Sequence, residues 1–385
     1  MLYESARLAD FSVSGAMPER RRRMDSSFLA LVLILLTMGV IMVLSSSYAR
    51  AYYDPGSITG GNPVYFFVRQ FIYALLGIAA MIAASYVPMY IYRKYAACFL
   101  GAVIVLLLLV PFIGVKANGA RRWIGVGGLT LQPSELAKLA VIISFSAMIG
   151  KIRSGMKTVK YGIIPFVSVI AVIIGLLVLE PHFSASVIIA AIGGIMMFLG
   201  GVRIGWFAAA FAAAGAGLTV LLTMFPYASE RISTWRDPFA SSSDEGYQIV
   251  QSLYSIGSGG LSGLGLGGSR QKFLYLPEEH NDFIFSVLCE ETGFIGAALV
   301  IVLFSLLILR GYWIALHCAD SFSFLVCAGI ISLLAVQVFL NIAVVTNLIP
   351  CTGISLPFFS YGGTALMLDL FEMGIVLGAS RNIIY

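Results

Sequence analysis

Apolar residues fall in long blocks along this chain. The blocks cover about residues 28–48, 65–87, 95–115, 135–150, 161–179, 183–200, 204–225, 283–309, 322–347 and 358–379. A helix needs roughly 20 apolar residues to cross the hydrocarbon core of a bilayer. The pattern therefore predicts an all-α integral membrane protein with about ten transmembrane helices. Two blocks carry polar residues: the second includes Arg69 and Gln70 near its start, and the fourth holds Lys138. One long polar stretch, residues 226–282, separates the seventh block from the eighth. The predicted organisation is a basic tail over 1–27 and a single polytopic domain over 28–385, with no tandem repeat and no soluble second domain.

Composition and charge sharpen this picture. The chain is 59% hydrophobic and 11% charged, whereas a soluble domain carries about 25% charged residues, which excludes a soluble globular protein. No small-residue cleavage pattern follows the first block, so it is expected to be a retained anchor rather than a signal peptide. Lys and Arg set the orientation, because they favour cytoplasmic loops. With the amino terminus inside, the inner segments hold Arg7, Arg20, Arg21, Arg22, Arg23, Arg93, Lys94, Lys151, Arg153, Lys157, Lys160, Arg203, Arg310 and Arg381. Both termini are then cytoplasmic, and the 226–282 loop is extracytoplasmic. The net charge of +5 follows topology and does not point to nucleic acid.

The remaining basic residues are not explained by topology. Lys116, Arg121 and Arg122 share one outer loop, and Arg231, Arg236, Arg270 and Lys272 share another. Cations on the outer face suit a phosphate-bearing lipid; pairing with lipid headgroups or with Glu278, Glu279 and Asp237 is the alternative. The run GSGGLSGLGLGG (257–268) lacks the GK[ST] of a phosphate loop and has no βαβ unit around it. It reads as a flexible loop through which backbone approaches a substrate, or as plain turn chemistry. Cys98, Cys289, Cys318, Cys327 and Cys351 have no close pairing or metal spacing and read as packing residues. No His, Asp and Glu cluster has ligand spacing, so no dedicated metal site or cofactor is expected; a divalent cation assisting the reaction would leave no mark in the sequence.

Three blocks carry a family resemblance: NGARRWIGVGGLTLQPSELAKLA (118–140), GYQIVQSLYSIGSGGLSGLGLGGSRQKFLYLPEEHNDFIFSVLCEETGFIG (246–296) and NIAVVTNLIPCTGISLPFFSYGGTALM (341–367). With them the chain resembles the SEDS family (shape, elongation, division and sporulation), the FtsW/RodA/SpoVE group. The second block is more similar to the FtsW and SpoVE branches than to RodA. The sequence departs from the pattern at Asn347, where glycine is common, at Glu180-Pro181-His182, where Gln-Pro-Asp is common, and at Asp369 and Glu372, which lie where relatives are apolar. The resemblance implies polymerisation of lipid II into peptidoglycan glycan strands at the outer face of the bacterial cytoplasmic membrane, in partnership with a class B penicillin-binding protein, which crosslinks the strands, and with other division proteins. Flipping of lipid II, or the same polymerisation in elongation or sporulation, is the alternative.

That chemistry needs a general base for the attacking sugar hydroxyl. It also needs cations or backbone donors for the departing pyrophosphate. Forming a β linkage from an α-phosphate donor inverts the anomeric carbon, so one carboxylate suffices. Asp282 is the candidate base, and the resemblance points to the same position; a helix N-cap is its other reading. Glu278, Glu279 and His280 are nearby, with His280 read as a surface histidine. Arg121, Arg122 and Trp123 are candidates for pyrophosphate and sugar contact, with Trp123 alternatively marking an interfacial belt. Lys116, Gln132, Ser134, Glu135 and Lys138 join them, Glu135 and Lys138 sharing a helix face as an ion pair or as substrate contacts. Arg270, Gln271 and Lys272 are placed to approach the leaving group or acceptor, and Ser360, Tyr361 and Gly362 to line an outer cavity or pack helices closely. Glu290 and Glu291 are expected in a partly wet upper segment, making structural hydrogen bonds. Asp369 and Glu372 share a face and are expected to be structural, touching Arg69 or Lys138.

Overall fold

The computed structural model describes residues 24–53, 59–117, 120–126, 129–209, 212, 233–240, 244–381 and 383. Residues 1–23 of the basic tail, Arg231 and most of the block 204–225 lie outside the described residues, as does the side chain of Lys116. The helices are α1 (Ser26–Tyr53), α2 (Tyr65–Tyr86), α3 (Met89–Ile113), α4 (Pro133–Ile152), α5 (Val159–Gly162), α6 (Ile164–Leu179), α7 (Phe183–Leu199), α8 (Asp244–Gly259), α9 (Ile284–Leu316), α10 (Ser321–Val345) and α11 (Gly363–Ser380). Seven spans among the described residues are long and apolar enough to cross a membrane: α1, α2, α3, α5 with α6, α9, α10 and α11. α7 is apolar but shorter, and α4 carries Glu135, Lys138 and Lys151 within 20 residues. The molecule is a multi-pass helical membrane protein.

Helices that are apolar all round cannot sort inside from outside by polarity alone, so small residues do part of the sorting. A Cβ on Gly374 of α11 would meet the Met81 carbonyl of α2 at 2.3 Å, and one on Gly39 of α1 would meet the Phe358 carbonyl at 2.1 Å. Polar segments gather at the two ends of the bundle. At one end Asp25 caps α1 through the Phe28 amide at 2.9 Å and pairs with Arg310 at 2.7 Å, while its own amide donates to Ser380. At the other end lie residues 115–117, 120–126, 129–131, 180–182, 233–240, 260–283 and 346–362.

Four features depart from the pattern-based prediction. First, residues 115–131 form an antiparallel sheet of β1 (Val115–Ala117), β2 (Ala120–Val126) and β3 (Leu129–Leu131), in that order, so the all-α class is amended by a small sheet. Second, the long polar stretch contains the helix α8. Third, α3 begins at Met89 and α9 runs to Leu316, each beyond its apolar block, because interfacial side chains extend them: the Arg310 guanidinium lies 4.2 Å from the Trp313 ring centroid. Fourth, α11 begins at Gly363 rather than 358, since Phe358 holds φ at 66° and breaks the helical path.

Candidate active site

Asp282 lies just before α9, at the end of a series of turns that begins near Ser269. The N-cap of α9 is Phe283, and no side chain caps it, which corrects the N-cap reading of Asp282. Its backbone is gripped instead. The Asn341 amide donates to Asp282 O at 2.8 Å and to Ile354 O at 2.7 Å. The Ser360 hydroxyl donates to Asn281 O at 2.8 Å and accepts the Leu356 amide, and the Tyr361 amide donates to His280 O at 2.8 Å. Gln70 ties this clamp to α2, donating to Ser360 O and accepting from the Gly362 amide. Ser360 and Tyr361 therefore hold the 280–281 backbone and Gly362 is tied to Gln70; Ser360 is buried and does not line an open cavity.

The Asp282 carboxylate is recessed but not sealed, and it accepts no hydrogen bond among the described residues. Gly353, at φ 59°, is what leaves room beside it: a Cβ there would stand 3.0 Å from Asp282 Oδ2. Burial pushes Asp282 up to about 6, Glu278 raises it further, and His280 and Arg122 draw it down. Glu278 accepts from Asn281 at 2.5 Å. His280 is buried between the Phe66 and Tyr361 rings, at 4.7 and 5.8 Å between centroids, 3.8 Å from the Glu279 carboxylate; the surface-histidine reading is corrected. Glu279 in turn pairs with Arg50 at 3.0 Å.

The sheet brings the first basic group to the same end. Arg122 donates from Nε to Glu180 O at 3.4 Å and from Nη2 to Pro181 O, and it interacts electrostatically with Glu180 and Asp282. Arg121 is exposed, its guanidinium donating to Pro111 O at 2.9 Å. Trp123 is half-buried on β2 opposite Val115. Gln132 stands 3.5 Å from His182 Nε2. Glu180 and His182 are both buried, and among the described residues neither Glu180 oxygen nor His182 Nδ1 has a hydrogen-bond partner. Burial pushes Glu180 up to about 7 against the pull of Arg122. Burial, then Arg122 and Lys138, push His182 down to about 3, which keeps its ring neutral.

Ser134 is buried, and its hydroxyl has no hydrogen-bond partner among the described residues. Glu135 and Lys138 form an ion pair at 2.6 Å, and Lys138 is buried. Asp369 and Glu372 interact electrostatically with Lys138, while Arg69 turns to the Tyr65 hydroxyl at 2.8 Å.

The second basic loop is arranged differently from expectation. α9 breaks at Gly293, where φ is 66° and ψ −168°, and the glycine run fills the break. Leu264 and Gly265 amides donate to the Glu290 and Glu291 carbonyls at 2.9 and 3.0 Å. Phe294 and Ile295 amides donate to Gly260 O and Leu261 O at 2.9 and 3.1 Å. The groups freed by a broken helix must find such partners. The close backbone approach that the glycines permit is thus to α9, at Gly263 with φ 79°, where a Cβ would meet Glu291 O at 2.2 Å.

Glu290 and Glu291 are both 1% exposed, which corrects the partly wet segment; their hydrogen bonds are structural as expected. Glu290 accepts from the hydroxyls of Ser255, Ser258 and Ser269 and from the amides of Arg270 and Gln271. Glu291 takes Lys272 Nζ at 2.8 Å and Ser45 at 2.6 Å. Lys272 is therefore a buried ion-pair partner, and its expected approach to a leaving group is corrected. Arg270 is exposed on the same turn, and Gln271 is partly buried.

Sequence reasoning missed Asn341 and Gln70 as clamps, and His182 and Glu180 as part of the site. Lone amides inside apolar blocks were the available signal for the first two.

The fold and site define a class: a multi-pass helical membrane protein whose polar end sets Arg122 within electrostatic reach of a recessed carboxylate, Asp282, that accepts no hydrogen bond among the described residues. The chain belongs to the FtsW/RodA/SpoVE family, described as cell cycle protein, whose model matches residues 25–384. It is 38% identical to stage V sporulation protein E of Bacillus subtilis, over 95% of this chain and 99% of that one. It is also 38% identical to the probable peptidoglycan glycosyltransferase FtsW of Saccharophagus degradans, over 92% of each. Among solved structures it is similar to a chain from work on structural coordination of polymerization and crosslinking by a peptidoglycan synthase complex, with a TM-score of 0.76 and 28% identity over 93% of this chain and 98% of that one. It is similar too to the rod shape determining protein RodA of Thermus thermophilus, with a TM-score of 0.68 and 26% identity over 94% and 98%.

Proposed function

We propose that this chain is a peptidoglycan glycosyltransferase that polymerises lipid II into β-1,4 glycan strands at the outer face of the cytoplasmic membrane, in cell division. The observation that carries this reading is the Asp282 carboxylate: fixed through its backbone, without a hydrogen-bond partner among the described residues, and pushed up to about 6 by burial. A carboxylate left free in a recess is ready to accept a proton from an incoming sugar hydroxyl. Arg122 stands within electrostatic reach of it and would meet the charge that develops on the departing pyrophosphate. In this reading the displacement inverts the anomeric carbon in one step, releases undecaprenyl pyrophosphate and leaves no covalent sugar intermediate. A class B penicillin-binding protein is the working partner, because glycan strands need crosslinking; other division proteins recruit the pair to the septum.

A flippase reading draws on one observation, the charged group of Glu135, Lys138, Asp369 and Glu372 within the bundle, of which Lys138 and Glu372 are buried. Purified protein with its penicillin-binding partner and labelled lipid II separates the two. Glycan polymer with β linkages supports polymerisation; translocation of lipid II across vesicles without polymer supports flipping.

A further inference from the structure

Two buried groups beside Arg122, which itself reaches Asp282 electrostatically, lack hydrogen-bond partners among the described residues. Glu180, at the end of α6, is 2% exposed, and neither of its carboxylate oxygens has a hydrogen bond. His182, two residues on, is 9% exposed, and its Nδ1 is likewise unpartnered. Its other nitrogen faces the Gln132 amide at 3.5 Å. That amide nitrogen can only donate, so His182 Nε2 accepts and Nδ1 carries the proton. The pair thus offers acceptors on Glu180 and a donor on His182. Burying such groups unpaired costs free energy that a bound group would recover.

The chemistry of the vacant partners is restricted. A pyrophosphate has acceptors only and would be repelled by Glu180. A primary ammonium would face Arg122 and Lys138, both within electrostatic reach of His182. Among the described residues no group of three or more His, Cys, Asp or Glu side chains could hold a metal ion. Neutral groups that donate and accept together, hydroxyls and acetamides, fit. Arg122 donates to the Glu180 and Pro181 carbonyls and interacts electrostatically with Asp282, so it joins this corner to the reacting carboxylate.

We propose that Glu180 and His182 form a sugar-binding subsite beside Asp282, which holds hydroxyl and acetamido groups of the substrate disaccharide while Arg122 forms its wall. The proposal rests on the function proposed above. It distinguishes a sugar-recognising corner from a site for the lipid pyrophosphate.

The test uses full-length protein in nanodiscs carrying Asp282→Asn, so that bound substrate is not consumed. Two probes are compared, lipid II and undecaprenyl pyrophosphate, which lacks the sugars. Adding Glu180→Leu is expected to weaken lipid II binding about tenfold, to leave undecaprenyl pyrophosphate binding unchanged, and to keep or raise the thermal midpoint, since an unpartnered buried carboxylate is removed. Glu180→Gln, which retains one acceptor, is expected to lose less. Equal loss for both probes, or no loss for lipid II, overturns the subsite and leaves a water-filled corner. A lower thermal midpoint with both affinities reduced alike assigns Glu180 to the frame and overturns it as well. If the Asp282→Asn protein binds undecaprenyl pyrophosphate but no lipid II, both this subsite and the polymerase reading fail together.

Discussion

At the scale of single residues, the site separates groups that hold from groups left free. Asp282 is raised above the ordinary carboxylate value of 3.8 to about 6, so its ionised form is disfavoured in the fold. Its contribution to stability is present at pH below the ordinary value and is lost as pH rises through about 6. Asp282→Asn, which resembles the protonated form, should therefore raise the thermal midpoint above that of the wild type at pH 8, with the difference vanishing at acid pH; differential scanning fluorimetry in detergent checks this. Asn341→Leu should act in the opposite sense, leaving the Asp282 and Ile354 carbonyls without their donor at about 1–3 kcal/mol, with glycan synthesis falling and the midpoint with it. At Gly353, Ala meets both a left-handed backbone and the Asp282 carboxylate at 3.0 Å. Gly353→Ala should cost about 1–2 kcal/mol from φ alone and slow polymerisation beyond what the lost stability explains, measured by initial rates at matched folded fraction.

At the scale of elements, the break in α9 organises the outer end. The glycine run supplies backbone partners to both sides of the break, and Glu290 and Glu291 fasten the turn that carries Arg270. Removing only one partner of a buried ion pair leaves an uncompensated charge, at about 3–5 kcal/mol. Lys272→Met should therefore destabilise strongly, and Lys272→Met with Glu291→Met should recover most of the loss, as a double-mutant cycle on thermal midpoints would show. The apolar blocks made the helices legible in the sequence, because a lipid-spanning helix leaves an unbroken run. The break at Gly293 was not legible, since the residues around it read equally well as continuous helix, and its cause lies about 30 residues upstream in sequence. The hairpin over 115–131 escaped for a related reason: its pairing partners are local, but ARRWIGV has no clean alternation. Arg122 was legible as a basic residue in a loop between apolar blocks, and Asp282 as one of several acids there, which the family resemblance narrowed to one. Lys272 was misread because the same charge, seen in sequence alone, fits a ligand and a buried glutamate alike. Asn347 was legible only in part: its φ of 59° explains why a residue tolerant of the left-handed region stands there, while its bonds with Trp235 required the fold.

For the whole molecule, the polar segments divide between two ends of the helical bundle, and the proposed reaction requires the Asp282 end to face outward. In a background with the five native cysteines replaced, a membrane-impermeant thiol reagent added to intact cells should label Arg236→Cys and not Lys157→Cys; the reverse pattern would invert the topology. The central claim is that Asp282 takes the proton from the attacking sugar hydroxyl, and its direct test is glycan polymerisation from lipid II, with the penicillin-binding partner present, followed across pH for wild type and Asp282→Asn. The wild-type rate should rise with pH and reach half its plateau near pH 6, where Asp282 ionises. The Asn variant should run at least about a hundredfold below the wild-type plateau, with no rise through pH 6, while remaining folded. Polymer from the Asn variant at a rate close to wild type would contradict the account.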